Sequence, residues 1–361
     1  MKIVHITSSL DGGGIASLLL EYCSRMVKEI NFDFILTSDK KGILENKFEE
    51  MGCKIYHIPQ LRKNPYKSIK ALYKILKENK YDILHAHGDY KCFDSLLIAK
   101  MIGIKNRIVH SHLAYTQETI KQKIERKVFV PLVKFLSTQL MACSKDAAIW
   151  MWGDTDNKKI IIMPNAIDTK KFLYNDIKRK LLRKKYNIED CFVIGNVARF
   201  SYQKDHEFLL EIFKDVLKQN QKAILLLIGD GELKDEILNK IKKLKIDKNV
   251  ILLGTIDNVN EYLNVMDVFV LPTRYEGLGI VYVEAQANGM KCFGSKDVVP
   301  EEANVCNNLI FISKNSSPEE WAKEIRNINF RRDENVLEKI SNAGYDIELS
   351  SKNIKEFYLS L

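Results

Sequence analysis

The chain has 361 residues, 46% of them hydrophobic, and 56 Lys and Arg against 47 Asp and Glu give it a formal net charge of +9. This length favours two domains over one. No run approaches the roughly 20 apolar residues that cross a bilayer, and no signal-peptide pattern opens the chain, so we expect a cytoplasmic protein. The charge favours anionic partners, while the lack of a basic-aromatic patch or a known binding motif argues against nucleic acid.

Apolar runs of strand length alternate with amphipathic helical segments throughout the first half. This alternation predicts a parallel sheet wrapped by helices. The predicted strands are Lys2–Thr7, Phe32–Thr37, Lys54–Ile58, Ile83–His87, Arg107–His112, Gln139–Cys143 and Ile160–Met163.

The pattern breaks at residues 164–168 and the basic segment Lys178–Lys185, and then starts again. The second series of predicted strands is Phe192–Val197, Ala223–Ile228, Val250–Leu253, Val268–Leu271, Lys291–Gly294 and Leu309–Ile312. We therefore expect two doubly wound domains, residues 1–168 and 169–344. Ligands of such sheets bind beyond the carboxyl ends of the strands.

A glycine-rich segment, Ser8–Ala16, directly follows the first predicted strand and opens a helix. Glycines at such a position let backbone N–H groups approach a phosphate, and the helix amino terminus favours its negative charge. The segment is neither a GxGxxG fingerprint nor a P-loop. Taken alone, it is equally typical of a flexible turn between strand and helix.

Two basic residues, Arg199 and Lys204, follow the first strand of the second series, within the segment 195–204. On a loop between strand and helix they can converge on a diphosphate, with Arg as a planar fork and Lys as a point charge. Such a pair would neutralise a leaving nucleotide without a metal. Considered alone, two basic loop residues are more often solvated surface residues.

Two carboxylates, with seven residues between them, come after the strand Val268–Leu271. Glu276 falls in the loop, which Gly277 and Gly279 keep open, and Glu284 lies about one turn into the following helix. Carboxylates that accept hydrogen bonds from vicinal hydroxyls suit a sugar and a ribose. Without the flanking glycines, a capped surface helix with two exposed acids would be the better interpretation.

This segment resembles the E-x7-E signature of the family-four retaining glycosyltransferases, which have the GT-B fold. The resemblance extends over nearly the whole chain, through matching segments at 82–87, 107–112, 142–144, 164–168, 195–204 and 228–232. Within the family, the chain most resembles enzymes of capsular and exopolysaccharide assembly. The resemblance implies two Rossmann-like domains that face each other across a cleft, with the last helix, in 345–361, packed back on the first domain.

The resemblance also implies roles for individual residues. Arg199 and Lys204 would bind the donor pyrophosphate, and Glu284 would hold the ribose. The transferred sugar would contact Glu276, the backbone of Gly277, Leu278 and Gly279, and His112. Gly13 and Gly14 would approach the pyrophosphate from the first domain, and His87 and Asp89 are candidates for the acceptor side. Gly279 stands where close relatives often have Pro, which leaves the sugar open.

Histidines cluster at three predicted strand ends, in His5, His85 with His87, and His110 with His112. Alternation places each pair on one face of its strand, but no carboxylate completes a familiar metal-ligand set. We therefore favour hydrogen-bonding or catalytic-pocket roles over a metal for His87 and His112, and we expect His5 to be a core residue. The sequence Asp154-Thr155-Asp156 spells a manganese-binding D-x-D, which we interpret as an accidental match in a turn. We expect no metal and no cofactor.

The resulting hypothesis is a metal-independent, retaining hexosyl transfer from a nucleotide-diphosphate sugar, of which a UDP-sugar is the family's commonest. The acceptor would be a saccharide or a lipid-linked saccharide. Alternatives on a similar architecture are a sugar-nucleotide epimerase, a phosphorylase, and a non-catalytic sugar-nucleotide-binding subunit.

Two segments of the first domain, Arg62–Lys80 and Lys121–Lys134, combine basic and apolar residues at helical spacing. Either segment could rest on an anionic membrane surface while the enzyme glycosylates a lipid-linked acceptor. An ordinary solvated helix with one stripe facing the core explains the pattern equally well. Peripheral contact with the inner face of the cell membrane is thus one of two open interpretations.

Overall fold

The computed structural model describes residues 1–11, 14–38, 40–112, 119–153 and 160–361. The chain divides into two compact units. The first unit is Met1–Ile167 with Gly344–Leu361, and the second unit is Asp168–Ala343. Each unit contains one parallel sheet, which confirms the predicted α/β class with two Rossmann-like domains.

The first unit is built on a seven-stranded sheet of order β3-β2-β1-β4-β5-β6-β7. Its strands are β1 Lys2–Thr7, β2 Asn31–Leu36, β3 Lys54–His57, β4 Ile83–Ala86, β5 Asn106–Ser111, β6 Gln139–Ala142 and β7 Ile160–Ile162. Its helices are α1 Gly14–Met26, α2 Glu45–Glu50, α3 Pro65–Asn79, α4 Phe93–Ile102, α5 Ile120–Leu136, α6 Lys145–Trp152 and α15 Ile347–Leu359.

Two apolar cores cover the two faces of this sheet. One core lies under α3 to α6, and the other packs α1 and α15 against the strands. Helix α15 belongs to this unit although it comes last in the sequence, because its residues Ile354 and Tyr358 are buried beside α1. The chain returns to the unit through backbone hydrogen bonds that join Ile167 to Tyr345 and Ile347.

The second unit is built on a six-stranded sheet of order β10-β9-β8-β11-β12-β13. Its strands are β8 Val193–Val197, β9 Ile224–Ile228, β10 Val250–Leu252, β11 Val268–Leu271, β12 Lys291–Lys296 and β13 Leu309–Ser313. Its helices are α7 Thr169–Phe172, α8 Asp176–Tyr186, α9 His206–Leu217, α10 Lys234–Leu244, α11 Val259–Tyr262, α12 Ile280–Ala287, α13 Pro318–Arg326 and α14 Val336–Asn342.

The strands form where the sequence is continuously apolar. Strand β9, with the sequence Ile-Leu-Leu-Leu-Ile, is buried at all five positions. A strand of a parallel sheet packs on both faces, so it contains an unbroken apolar run. The predicted strands are found with ends within two residues of the expected ones. Among the described helices, none combines the length and the apolar character needed to span a membrane.

Candidate functional site

The central contact in the second unit joins Lys204 to Glu276. Lys204 follows β8 and Glu276 follows β11, and these strands are neighbours in the sheet. The Lys204 Nζ lies 2.5 Å from Glu276 Oε2, and the two side chains are 16% and 8% exposed. Adjacent parallel strands thus bring together two candidate residues that are 72 positions apart in the sequence.

The loops that carry this pair are tied together through their backbones. The Arg274 N–H donates to the Gln203 carbonyl at 2.8 Å, and the Thr273 hydroxyl donates to the same oxygen at 2.9 Å. The Gln203 amide in turn donates to the Tyr275 carbonyl at 2.9 Å. These bonds do not involve the Lys204 ammonium or the Glu276 carboxylate.

A third loop, after β9, packs closely against the segment that carries Arg199. A Cβ atom on Gly229 would lie 2.0 Å from the Ala198 carbonyl oxygen, and one on Gly231 would lie 2.4 Å from the Phe200 oxygen. Gly229 also has a φ of +143°, which side-chain-bearing residues rarely adopt. This close approach explains why glycines occupy positions 229 and 231 of the segment 228–232.

Arg199 does not join Lys204 and Glu276 in this structure. Its guanidinium pairs with Glu232 at 3.0 Å, and the two side chains are 73% and 54% exposed. Exposed ion pairs contribute between about 0 and 1 kcal/mol. Arg199 is therefore at the carboxyl edge of the sheet but free to exchange this partner for a ligand.

Glu284 lies in α12, the helix that follows the glycine loop. Gly279, with a φ of +71°, precedes this helix, and a Cβ on it would meet the Tyr282 ring at 2.7 Å. Tyr282 anchors the helix to the sheet because its hydroxyl donates to the Leu271 carbonyl. Burial raises the pKa of Glu284 to about 7, and no hydrogen bond or charge from the described residues opposes this effect.

In the first unit, His87, Asp89 and His112 all lie at the carboxyl edge of the sheet and are buried. His87 Nδ1 lies 2.9 Å from His112 Nε2. Burial lowers the pKa of His112 to about 4, and the adjacent Asn165 side chain opposes this effect. Gly14 begins α1, and Gly13 lies outside the described residues.

Asp89 has two unusual features for an aspartate. Its φ is +52°, and burial raises the pKa of its carboxyl to about 6, although hydrogen bonds with Ser111 and the His112 backbone oppose this. Its Oδ1 atom has no hydrogen-bond partner among the described residues. A buried, strained acid with a free oxygen is typical of a ligand site.

Two groups of three histidines have ring nitrogens close enough to surround an ion. The groups are His5, His85 and His87, and His87, His110 and His112, with ligand atoms within 4.8 Å of one another. Neither group contains a carboxylate or a thiol. The D-x-D at 154–156 lies outside the described residues.

Four residues that contribute to the site were not singled out from the sequence. Glu232 pairs with Arg199, Gln203 and Thr273 link the two loops, and Asn165 adjoins His112. The resemblance already included the segments that contain Glu232, Asn165 and Gln203, so position in a matched motif was the available signal.

Comparison with known proteins places this architecture in a defined class. Residues 12–171 match the family model "Glycosyltransferase Family 4", and residues 178–346 match "Glycosyl transferases group 1". Solved structures of Anabaena Alr3699/HepE with UDP and with UDP-glucose superpose at TM-scores of 0.80 and 0.78. They are 18% and 17% identical to this chain, and all of both chains is covered. The fold is therefore GT-B, as predicted.

Sequence relatives agree with this class. EpsF of Bacillus subtilis (strain 168) is 28% identical, covering 96% of this chain and 93% of its own. The capsular polysaccharide biosynthesis glycosyltransferase CapH of Staphylococcus aureus is 25% identical, covering 100% and 99%. An Escherichia coli enzyme, UDP-Gal:alpha-D-GlcNAc-diphosphoundecaprenol alpha-1,3-galactosyltransferase, is 28% identical, covering 82% and 79%.

The chain belongs to the glycosyltransferases, with a family 4 first half and a group 1 second half. It is an enzyme that transfers a sugar, and the epimerase alternative is wrong, since both family models and these relatives describe transferases.

Proposed function

We propose that this enzyme transfers a sugar, with retention of configuration and without a metal, from a UDP-sugar to a saccharide or lipid-linked saccharide of a surface polysaccharide. The Lys204–Glu276 pair carries the proposal, since it places a cation and a hydroxyl-binding acid together. The solved HepE structures contain UDP and UDP-glucose, and the E. coli relative acts on a diphosphoundecaprenol-linked sugar. CapH is a capsule enzyme.

The proposed roles in donor binding follow from the contacts that the side chains exchange for contacts with the donor. Lys204 releases part of its contact with Glu276 to bind the diphosphate, and Arg199 exchanges Glu232 for the same group. Glu276 and the backbone of Gly277, Leu278 and Gly279 bind the transferred sugar. Glu284 accepts hydrogen bonds from the ribose hydroxyls, which offsets the cost of its burial.

Transfer then breaks the bond between the anomeric carbon and the diphosphate oxygen, and the electron pair leaves with the phosphate. The acceptor oxygen forms the new bond on the same face, and its proton passes to the leaving phosphate. Arg199 and Lys204 stabilise the charge that develops on the diphosphate, so their role needs no metal. Glu276 is engaged by Lys204, which argues against a double displacement that would use it as a nucleophile.

In the first unit, His112 is assigned to the donor sugar and Asp89 to the acceptor. Asp89 suits an acceptor hydroxyl, because its unpartnered oxygen gains a hydrogen bond when that hydroxyl binds. Gly13 and Gly14 are assigned to the pyrophosphate.

A thermal-shift comparison of UDP-, GDP- and ADP-glucose tests the donor class. A ligand at 100 times its dissociation constant stabilises the protein by about 2.7 kcal/mol. We expect the UDP compounds to give the largest shift. The shift should decrease in Lys204→Met but not in Lys234→Met, whose lysine makes an exposed pair with Asp230. A larger shift with GDP- or ADP-glucose would contradict the donor assignment.

Two measurements test the mechanism once a donor is known. NMR of the first-formed product should show the anomeric configuration of the donor, and an inverted product would exclude retention. The rate should be unchanged after dialysis against EDTA. A rate that falls with EDTA and returns with Mn²⁺ or Mg²⁺ would exclude metal independence.

The proposed membrane contact is formed by a surface on helices α3, α4 and α5, which pack side by side. This α3–α5 surface exposes the apolar side chains of Tyr66, Ile69, Tyr73, Leu97, Met101, Ile120, Ile124, Val128, Leu132 and Phe135. On α5 these residues follow one another at steps of three or four, so they form one continuous stripe.

Cations flank the apolar stripe on α5. Lys121, Lys123 and Lys127 are exposed, and Glu125 is the single acid of the helix. An apolar face with flanking lysines is the pattern of a helix that lies in an anionic lipid interface. These exposed apolar and basic side chains support the proposed membrane contact of Lys121–Lys134, because the exposed face of an ordinary solvated helix would be polar.

Co-sedimentation with vesicles tests this surface. We expect binding to phosphatidylglycerol vesicles, weaker binding at high salt, and none to phosphatidylcholine. The double variant Ile124→Glu/Phe135→Glu should lose binding. The control Ile177→Glu alters an isoleucine that is 71% exposed on the basic helix α8 of the second unit, and it should bind as the wild type does. Equal loss in both variants would show that net charge, not the α3–α5 surface, governs binding.

A further inference from the structure

Five buried histidines form a continuous strip on the face of the first-unit sheet that α1 and α15 cover. They are His5 on β1, His85 and His87 at β4, and His110 and His112 at β5. All five are at most 8% exposed. Neighbouring rings lie 4.0 to 5.7 Å apart between centroids. Burial lowers the pKa of each ring, so all five are neutral at pH 7.

Three of these rings form a hydrogen-bonded chain. His112 Nε2 lies 2.9 Å from His87 Nδ1, and His87 Nε2 lies 2.9 Å from His5 Nδ1. Both ring nitrogens of His87 therefore contact other histidines, and neither is left to bind the acceptor substrate. At the two ends of the chain, His112 Nδ1 and His5 Nε2 make no hydrogen bond of good geometry with the described residues, and the Asn165 side chain lies beside the His112 end.

Counting protons limits the chain to two states. A neutral imidazole has one N–H and one bare nitrogen, so His87 donates to one neighbour and accepts from the other. In the first state His112 donates to His87, His87 donates to His5, and His112 Nδ1 is a bare acceptor. In the second state every bond is reversed, and His112 Nδ1 carries a proton. The tautomer of His5 is thereby coupled to the tautomer of His112 through His87.

We propose that His87 and His5 are positioning residues that fix the ring and the tautomer of His112, and that His112 Nδ1 is the atom presented to the substrate. That the substrate is the donor sugar depends on the function proposed above. The ring orientation and the tautomer of His112 in the free enzyme do not depend on that function. His87 is accordingly reassigned from acceptor binding to the support of His112.

The surroundings of His5 make it a suitable end for the chain. Its ring stacks on Phe34 at 5.3 Å and lies 5.6 Å from Phe32. The groups that face this end are Tyr22 and Cys23 on α1 and Tyr358 on α15, whose hydroxyl is 2.7 Å from His85 Nδ1. The adjacent cavity is about 10 Å³, too small for more than one water molecule.

Nitrogen-15 NMR of the full chain labelled in histidine, without any ligand, tests the proposal directly. We expect one tautomer for His112 in the wild type and a mixture of both in His87→Leu. The variant His87→Gln, which keeps a donor and an acceptor, should restore one tautomer. His206, buried in the second unit, serves as an internal control whose signals stay unchanged.

The variant His5→Phe provides the sharper test, because Phe suits the aromatic surroundings and His112 does not contact His5. A mixture of His112 tautomers in this variant would show transmission through His87, whereas an unchanged single tautomer would overturn the chain. If His87→Leu fails to fold, His5→Phe and His87→Gln still decide the question. A stoichiometric metal in the purified protein, with EDTA shifting the His87 signals, would overturn the proposal in favour of a metal site.

The consequence for substrate binding is tested separately. In His87→Leu the affinity for UDP should equal that of the wild type, while the affinity for UDP-glucose should fall about 10-fold, corresponding to the loss of one oriented hydrogen bond. A fall for both ligands would contradict a role confined to the sugar. Should UDP fail to bind the wild type, the donor assignment fails, and the NMR result still stands.

Discussion

The carboxyl edges of the two sheets have the same architecture but opposite chemistry. In the first unit, His87 and His112 at this edge belong to a strip of five buried imidazoles that are neutral at pH 7. In the second unit, it carries full charges, which are paired in Lys204–Glu276 and Arg199–Glu232. The difference shows that the doubly wound fold sets the place of a site, while the residues after each strand set its electrostatics.

The largest expected difference between the two edges is in acid. The buried histidines bind protons more weakly when folded, so their contribution to stability is complete above pH 6.5 and is lost as the pH falls towards 4. Each ring weakens folding by up to about 1.4 kcal/mol per pH unit in this range. The hydrogen-exchange protection factors of β1, β4 and β5 should therefore fall, as the pH decreases from 7 to 4, before those of β8 and β11 do.

Variants of single histidines sharpen this prediction. His5→Phe removes one titrating ring and should move the acid transition of the first unit to lower pH. His206→Phe removes the single histidine of the second unit and should leave that transition in place. Simultaneous exchange in both units at acid pH would show that the strip does not determine acid stability.

The charged edge should respond most to loss of Lys204. We expect Lys204→Met to reduce transfer about 10²- to 10³-fold, as is typical when one group that stabilises the developing charge is removed. It should also destabilise the second unit, because Glu276 is left buried and unpaired. The double variant Lys204→Met/Glu276→Gln should recover stability in urea unfolding but no activity. Recovered activity would contradict the proposed roles.

Loop packing in the second unit gives a smaller effect. Gly229→Ala places a Cβ atom 2.0 Å from the Ala198 oxygen, so we expect a loss of about 3 kcal/mol in the free energy of unfolding. Gly254 also has a positive φ, +68°, but a Cβ there meets nothing within 4 Å. Gly254→Ala should therefore cost only about 1 to 2 kcal/mol. If chemical denaturation gives the same loss of unfolding free energy for both variants, the positive φ, and not the close approach of the loops, determines the cost of the substitution.

The sequence predicted the sheets better than it predicted the contacts. Continuous apolar runs such as 224–228 specify buried parallel strands, because both of their faces must be covered. The sequence predicted that Lys204 and Glu276 follow separate strands. The contact between their side chains also requires that β8 and β11 be adjacent in the sheet. Strand order is a property of the whole sheet and is not encoded locally.

The histidines illustrate the same limit. Alternation correctly placed His85 with His87 and His110 with His112 on common faces. It did not indicate that His5 extends the chain, since His5 was assigned to the core. The chain exists because β1, β4 and β5 are adjacent and in a register that aligns His5 with His85. Side-chain periodicity predicts the face of the sheet on which a residue lies, whereas strand register determines which residue lies beside it.

Glu284 provides the last and smallest test, since it is a carboxylate on the charged edge for which the described residues supply no paired cation. Its folded pKa of about 7 lies above its usual 4.5, so its ionisation opposes folding increasingly as the pH rises from 4.5 to 7. Glu284→Gln should thus add about 1 to 3 kcal/mol to the free energy of unfolding above pH 7 and nothing near pH 4. Glu236→Gln, at an exposed position of α10, should change it by less than about 0.5 kcal/mol at either pH. The same Glu284→Gln variant should bind UDP about 10-fold more weakly, because an ionised acceptor is lost. Greater stability combined with weaker binding would show that this acid is retained for the nucleotide at the expense of folding, whereas lower stability above pH 7 would show that a partner compensates its burial.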